Sequence, residues 1–274
     1  MNLVDLIPPC KLIPAGPFLM GTPDSERSSL AKRYGGTRES YAEESPQHQV
    51  DLPAFLMMRV PVTHALYEQW VRATGAVAPV LWRGGVLPDD LRDHPVSDVS
   101  WDDALHFARW LSDATGKHWQ LPTEAQWEKA ARGLDGHQFP WGNSFDAELC
   151  NAREAGRNAT TPVGQYPDAA SPFGLLDMAG NVWEWTRTLQ APYPYADDGR
   201  EHVAAPALPA SLWRRVMSRL RRGSTAAPVE TRRILRGGCY ANPEGFARCA
   251  CRFRLLPASR TPFLGFRLVR APDA

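Results

Sequence analysis

The chain has 274 residues, with 31 basic and 30 acidic side chains. So even a balance gives no electrostatic grip on DNA or on an anionic membrane surface. No apolar run approaches the roughly 20 residues that cross a bilayer, so neither nucleic-acid nor membrane partners are expected. Ten Trp, ten Phe and seven Tyr supply a large core. The 21 Gly and 25 Pro point to turns and irregular backbone more than to long helices. The opening MNLVDLIPPCKLIPAG lacks the basic start and apolar stretch of a secretory leader. Five cysteines make no tidy disulfide framework, so the expectation is free thiols in a reducing, cytoplasmic setting.

In chain order, Lys11 to Gly21 reads as a strand and turn. Residues 22 to 49 are polar and read as a surface loop. Val50 to Val62 alternates and carries two prolines, which suits an edge strand. Thr63 is a hydroxyl cap for a helix that places Leu66, Trp70 and Val71 on one face and closes at Gly75. Ser100 opens a second helix with Asp103 three residues on, close to a capping box. Leu105, Ala108 and Leu111 form its apolar face and Gly116 ends it. Thr123 caps a third, short helix that turns Trp127 and Ala130 inward and gives way at Gly133. Val182-Trp183-Glu184-Trp185 reads as a core strand.

Residues 189 to 231 stand apart as an insert. Within it, 211–222 reads as a helix with Leu212, Val216 and Leu220 on one face. Arg214, Arg215, Arg219, Arg221 and Arg222 surround the rest, either as a solvated face or as a docking surface near Trp213. The carboxy-terminal stretch, Arg233 to Arg270, reads as two or three strands joined by a loop. Its frame is Arg236-Gly237-Gly238, Arg248-Cys249-Ala250, Arg252, Pro257, Arg260 and Gly265-Phe266-Arg267. The filling between these points is Cys, Phe, Leu, Ala, Ser, Thr and Pro. The frame arginines are expected to tie loops down through carbonyls and carboxylates.

Several stretches together resemble the formylglycine-generating-enzyme/sulfatase-modifying-factor family. They are Phe18–Gly21, His94–Trp101, Leu121–Glu128, Phe139–Gly142, Pro162–Gly164, Phe173–Trp185, Arg236–Gly238 and Gly265–Phe266–Arg267. Their order covers about residues 11 to 270. The resemblance implies one α+β domain over 1–274 with a C-type-lectin-like fold, much irregular structure, a few helices and short antiparallel strands. Fold alone does not assign function.

The family's oxidase uses two cysteines after the Gly-Gly pair, where soft thiolates suit copper. The matching positions here are Asn242 and Ala247, so no copper and no catalytic residue are expected. Cys239, Cys249 and Cys251 lie nearby at other points of the frame, the last two on one face of an expected strand and read mainly as buried thiols. A cysteine oxidase with relocated thiols is the alternative. A second branch, the sulfoxide synthases of thiohistidine biosynthesis, needs a histidine iron site. The seven histidines here form no His-x-x-x-His pattern. No Gly-x-Ser-x-Gly elbow supports a hydrolase. The family's calcium loop maps onto Asp177, Gly180, Val182 and Glu184, offering carboxylates and carbonyls for one Ca2+. Alternatively, Asp177 and Glu184 satisfy loop amides and frame arginines. A second family site, at Asn151 and Ala152, lacks its Asp near Ala155 to Arg157.

Within the family the frame and filling most resemble the variable proteins of diversity-generating retroelements, in which Asn codons are randomised at adenines. Randomising the first two bases of an Asn codon reaches every filling type and excludes Lys, Glu, Gln, Met and Trp, none of which occurs there. The expected ligand-binding positions are Tyr240, Ala241, Asn242, Pro243, Phe246, Cys251, Phe253, Leu255, Leu256, Ala258, Ser259, Thr261, Pro262 and Phe263, within a variable region at about 236–267. Apolar side chains on a loop mark interaction surfaces, and aromatic anchors dominate their energetics. The expected function is non-enzymatic binding of a protein ligand on this surface, with the filling facing solvent.

Overall fold

A computed structural model describes residues 2–203 and 231–273. The expected basic helix at 211–222 and most of the insert lie outside the described residues. The elements run α1 (Leu3–Leu6), β1 (Cys10–Ile13), β2 (Gly16–Met20), α2 (Arg27–Tyr34), β3 (His48–Leu52), β4 (Phe55–Met58), α3 (His64–Thr74), α4 (Trp101–Thr115) and α5 (Glu124–Arg132). They continue with β5 (Trp183–Leu189), β6 (Arg233–Arg236), β7 (Phe253–Leu255), β8 (Leu264–Gly265) and β9 (Val269–Arg270).

The three expected helices form where their caps are written. Thr63 Oγ1 accepts from Leu66 N at 3.3 Å, and Gly75 closes α3 at φ +68°. Ser100 and Asp103 make the reciprocal box on α4, and Thr123 and Gln126 make one on α5. Each such cap contributes about 1 kcal/mol. The faces of α3 and α4 meet around Tyr67, Trp70, Phe107 and Phe266, with the Tyr67 and Phe107 rings stacked at 5.5 Å. Full burial of one such apolar side chain contributes ~1.5–3 kcal/mol.

Three small sheets surround this core. One has the order β1-β4-β9, one pairs β2 with β3, and the third has the order β7-β6-β5-β8. The expectation of antiparallel strands fails at one pair: β8 runs parallel to β5, with Trp183 opposite Leu264. The 21–47 connection between β2 and β3 is also not the expected loop. It holds α2 and the 3-10 turn Arg38–Glu44, and it buries Leu30, Tyr41 and Glu44.

Helix α5 departs from an ordinary amphipathic helix. Glu124, Glu128, Lys129 and Arg132 are all buried. Burial of these charges requires partners. Lys129 Nζ donates to Pro14 O at 2.8 Å and to Gly16 O at 2.7 Å, which pins the β1–β2 turn to the helix. Glu124 and Glu128 face arginines of the carboxy-terminal segment, so α5 becomes the post on which that segment hangs.

Candidate functional site

The frame arginines hold the carboxy-terminal loops, as their spacing implied. Arg236, fully buried at the end of β6, donates Nη1 to the carbonyls of Cys249 and Cys251, both at 2.9 Å. It is paired with Glu124 at 3.1 Å and with Glu128. Arg252 pairs with Glu124 at 2.6 Å and donates to Ala191 O at 3.0 Å. Arg248 takes both oxygens of buried Glu44, at 2.9 and 3.1 Å. Arg260 reaches Asp98 O at 3.2 Å and Asp103 at 2.5 Å. Charged donors onto carbonyls contribute ~1.5–3 kcal/mol each. The glycine pair has a steric reason: Gly238 sits at φ +73°, and a Cβ there would stand 2.8 Å from Phe246 O.

Between these fixed points lies an aromatic cluster. Trp183 Nε1 donates to Asn242 Oδ1 at 2.7 Å, and Cys239 Sγ approaches the same oxygen at 3.0 Å. The Phe253 ring stacks on Trp183 at 5.3 Å, and Phe246 meets its edge at 6.3 Å. Trp183 is buried, whereas Phe246 is 37% and Phe253 36% exposed. Two filling positions seven residues apart thus share one buried indole.

The other filling positions divide. Ala241, Ala258 and Pro262 are exposed, as expected. Tyr240, Asn242, Pro243, Leu255, Leu256, Ser259, Thr261 and Phe263 are partly covered. Leu255 and Phe263 pack on the main core, so their apolar area serves the fold as well as the surface. Cys251 contradicts its expected exposure. It is 8% exposed and belongs to the core cluster. Nor do Cys249 and Cys251 share a strand face: both precede β7, and Cys249 packs beside Trp127 in a separate cluster. Burial pushes both thiols up to about 12. Ala247 is also buried, against Phe139 and Cys150.

Of the four residues expected to hold calcium, Glu184 and Asp177 meet a guanidinium, that of Arg267. Arg267 Nε and Nη2 bind Glu184 Oε2 and Oε1, both at 2.7 Å. Trp127 Nε1 donates to Glu184 Oε2 at 2.9 Å. Arg267 Nη2 also donates to Leu176 O and Asp177 O, at 2.9 and 3.0 Å. The guanidinium therefore occupies the space between the Glu184 carboxylate and the Asp177 loop. Each Glu184 oxygen accepts at least one N–H, and the guanidinium neutralises the buried carboxylate. Glu184 thus takes the alternative role expected for it, satisfying a frame arginine. Asp177 accepts from Gly164 N at 2.7 Å, and burial pushes its carboxyl up to about 6. At the second implied position, Asn151 is buried and donates to Ala159 O and Asn181 Oδ1.

Sequence reasoning missed the contribution of residues 27–44. Tyr34, Tyr41 and Glu44 enclose Arg248, whose guanidinium lies 5.5 and 5.1 Å from the two ring centroids. The signal was present: Thr37 and Ser40 write a capping box at the start of the 3-10 turn.

A sparse-helix α+β domain, with its carboxy-terminal loops laced to α5 by buried arginines, defines a C-type-lectin-like scaffold. The chain belongs to the sulfatase-modifying-factor family: the model described as "Sulfatase-modifying factor enzyme 1-like domain" matches residues 5–272. It is 32% identical to the formylglycine-generating enzyme of Mycobacterium tuberculosis, over 88% of this chain and 95% of that protein. It is 30% identical to the hercynine oxygenase of Mycolicibacterium smegmatis over 94% of this chain, but spans only 60% of that longer protein. Among solved structures it is similar to PvdO from Pseudomonas aeruginosa, with TM-score 0.70, 26% identity and coverage of 97% and 95% of the two chains. Treponema denticola variable protein 1 shares the fold at TM-score 0.67 and 22% identity, with 96% and 95% covered.

Proposed function

We propose that this chain is a non-enzymatic binding protein that presents its carboxy-terminal filling to a protein ligand. One observation carries the reading. The two positions that answer to the family's copper-binding thiolates are Asn242, whose amide oxygen is engaged by Trp183 and Cys239, and Ala247, which is packed into a small apolar cluster. Neither side chain supplies a soft sulfur ligand. What the segment does offer is a pair of half-exposed phenylalanines on a buried tryptophan, mounted on a backbone fixed by five arginines. A rigid mount with exchangeable aromatic contacts is the arrangement of a recognition surface. The free thiols at Cys10, Cys150, Cys239, Cys249 and Cys251 are consistent with a reducing cytoplasm.

The frame and filling further fit a variable protein of a diversity-generating retroelement. The coding locus tests this. The reading expects a near-identical copy of the codons for 236–267, with adenines at the filling positions, beside a reverse-transcriptase gene. A locus with neither feature refutes the diversification.

The rival reading, a cysteine oxidase with relocated thiols, draws on the 32% identity to a formylglycine-generating enzyme. It requires an accessible thiolate. Burial holds Cys249 and Cys251 far above neutral pH and raises Cys239 as well.

A further inference from the structure

A polar cavity of about 300 Å³ opens between residues 22–30, the end of α5 and residues 136–143. Arg132, Gly136, Gln138, Asn143 and Arg248 stand on its wall. Asn242, Phe246 and Phe253 do not line it, so it is separate from the surface described above.

On this wall the acceptors are taken and the donors are left. Asn143 Oδ1 accepts from Gln138 N at 3.0 Å, which orients the amide and leaves Nδ2 without an acceptor among the described residues. Gln138 Oε1 accepts from Tyr34 Oη at 3.2 Å, which leaves Gln138 Nε2 in the same state. Arg132 is only 4% exposed. Its Nη1 is taken up by Leu19 O, Gly21 O and Glu128 Oε1, and its Nη2 reaches Gly136 O at 3.1 Å. Its Nε is buried with no partner among the described residues. Nε and Nη2 form the side edge of a guanidinium, the edge with which Arg267 holds Glu184. On Arg132 that edge meets the cavity wall at Gly136 and has no carboxylate. The charges behind the wall do not cancel either. Arg132, Arg236 and Arg252 share the carboxylates of Glu124 and Glu128, so three cations face two anions. The excess is positive and lies in a buried, weakly screened setting. Glu26, the carboxylate among the lining residues, is exposed, where water screens it. A cationic or donor-only guest would add to this mismatch. A negative group with several acceptor oxygens removes it.

We infer that this cavity binds a small oxyanion, a carboxylate or phosphate group, held by the Nε–Nη2 edge of Arg132 and the side-chain amide N–H groups of Gln138 and Asn143. The site is independent of the binding-protein reading and stands or falls without it.

Titration of the full isotope-labelled chain with inorganic phosphate and with acetate, each exchanged for chloride at constant ionic strength and read by NMR, tests the inference. The Arg132 Nε–H signal and the side-chain amide signals of Gln138 and Asn143 should shift together and saturate. The dissociation constant should be on the order of 1 mM for the better anion. Asn143→Asp, at an exposed position, keeps the acceptor for Gln138 N but sets a carboxylate on the wall. It should weaken binding about tenfold or more. Its melting temperature in chloride should match that of the parent. Tighter phosphate identifies a phosphate group as the guest, and tighter acetate identifies a carboxylate. A linear response of all three reporters to both anions overturns the inference and leaves the cavity to water. An Asn143→Asp variant that binds as tightly as the parent overturns it as well.

Discussion

Trp183 Nε1 and Asn242 Oδ1 stand 2.7 Å apart, and this bond fixes the loop after the glycine pair to the core strand β5. Asn242→Ala would leave a buried indole N–H without its partner, at a cost of ~1–2 kcal/mol. The expected fall in melting temperature is about 2–8 °C for a chain of this size. An unchanged melting curve would show that the bond does not hold the loop.

If these are the family's thiolate positions, the missing chemistry should be recoverable. The double variant Asn242→Cys, Ala247→Cys would place two soft ligands there. It should compete for Cu(I) with a chromogenic chelator, whereas the parent chain should not. Equal competition by the parent would mean that Cys239, Cys249 or Cys251 already serves.

Asp177 provides a pH test. Its carboxyl is raised, mainly by burial, to about 6 from an ordinary value of 3.8. Between those values the folded state binds more protons than the unfolded state, so this group makes stability fall as pH rises through the window. Asp177→Asn keeps an acceptor for Gly164 N and suits the left-handed backbone at φ +55°. It should stabilise by about 1–3 kcal/mol at pH 7 and have little effect below pH 4. A calcium ion on Asp177 would reverse the sign, making the substitution destabilising and a chelator harmful. If Arg267 is the cation that serves Glu184, EDTA should leave the melting temperature unchanged, and a fall would favour calcium in this loop.

The Glu184–Arg267 pair should be among the costliest to break. Arg267→Met would strand a fully buried carboxylate and cost about 3–5 kcal/mol, enough to threaten folding. Glu184→Gln, which keeps acceptor and donor capacity, should cost less. Equal stability of all three proteins would contradict a structural role.

The filling should split by burial. Phe253→Ser and Phe246→Ser alter half-exposed rings and should change stability little while removing contact area from the surface. Cys251→Leu, by contrast, overpacks a core position and should cost about 1–3 kcal/mol. Denaturant midpoints for the three variants decide this.

Much of the scaffold was legible in the sequence because its signals are local. Thr63, Ser100 and Thr123 write their own caps, and Gly75, Gly116 and Gly133 write the ends. The frame arginines were legible by role, though not by partner: nothing local says that Arg248 will meet Glu44, 204 residues away in sequence. Cys251 and Cys249 misled because two residues two apart look like one strand face. The backbone there is instead held by Arg236 through both of their carbonyls, which turns the thiols into different clusters. At the loop expected to hold calcium, what the sequence did not give was the partner of Glu184, since the Gly-Phe-Arg arginine arrives from 83 residues downstream to bind it.

The most direct test of non-enzymatic function is mass spectrometry of a sulfatase-type cysteine peptide incubated with the protein, copper and oxygen. The expected result is a peptide whose cysteine is unchanged and indistinguishable from a protein-free control. Protein-dependent, catalytic conversion of that cysteine to formylglycine would contradict the proposal and make the retained thiols an active site.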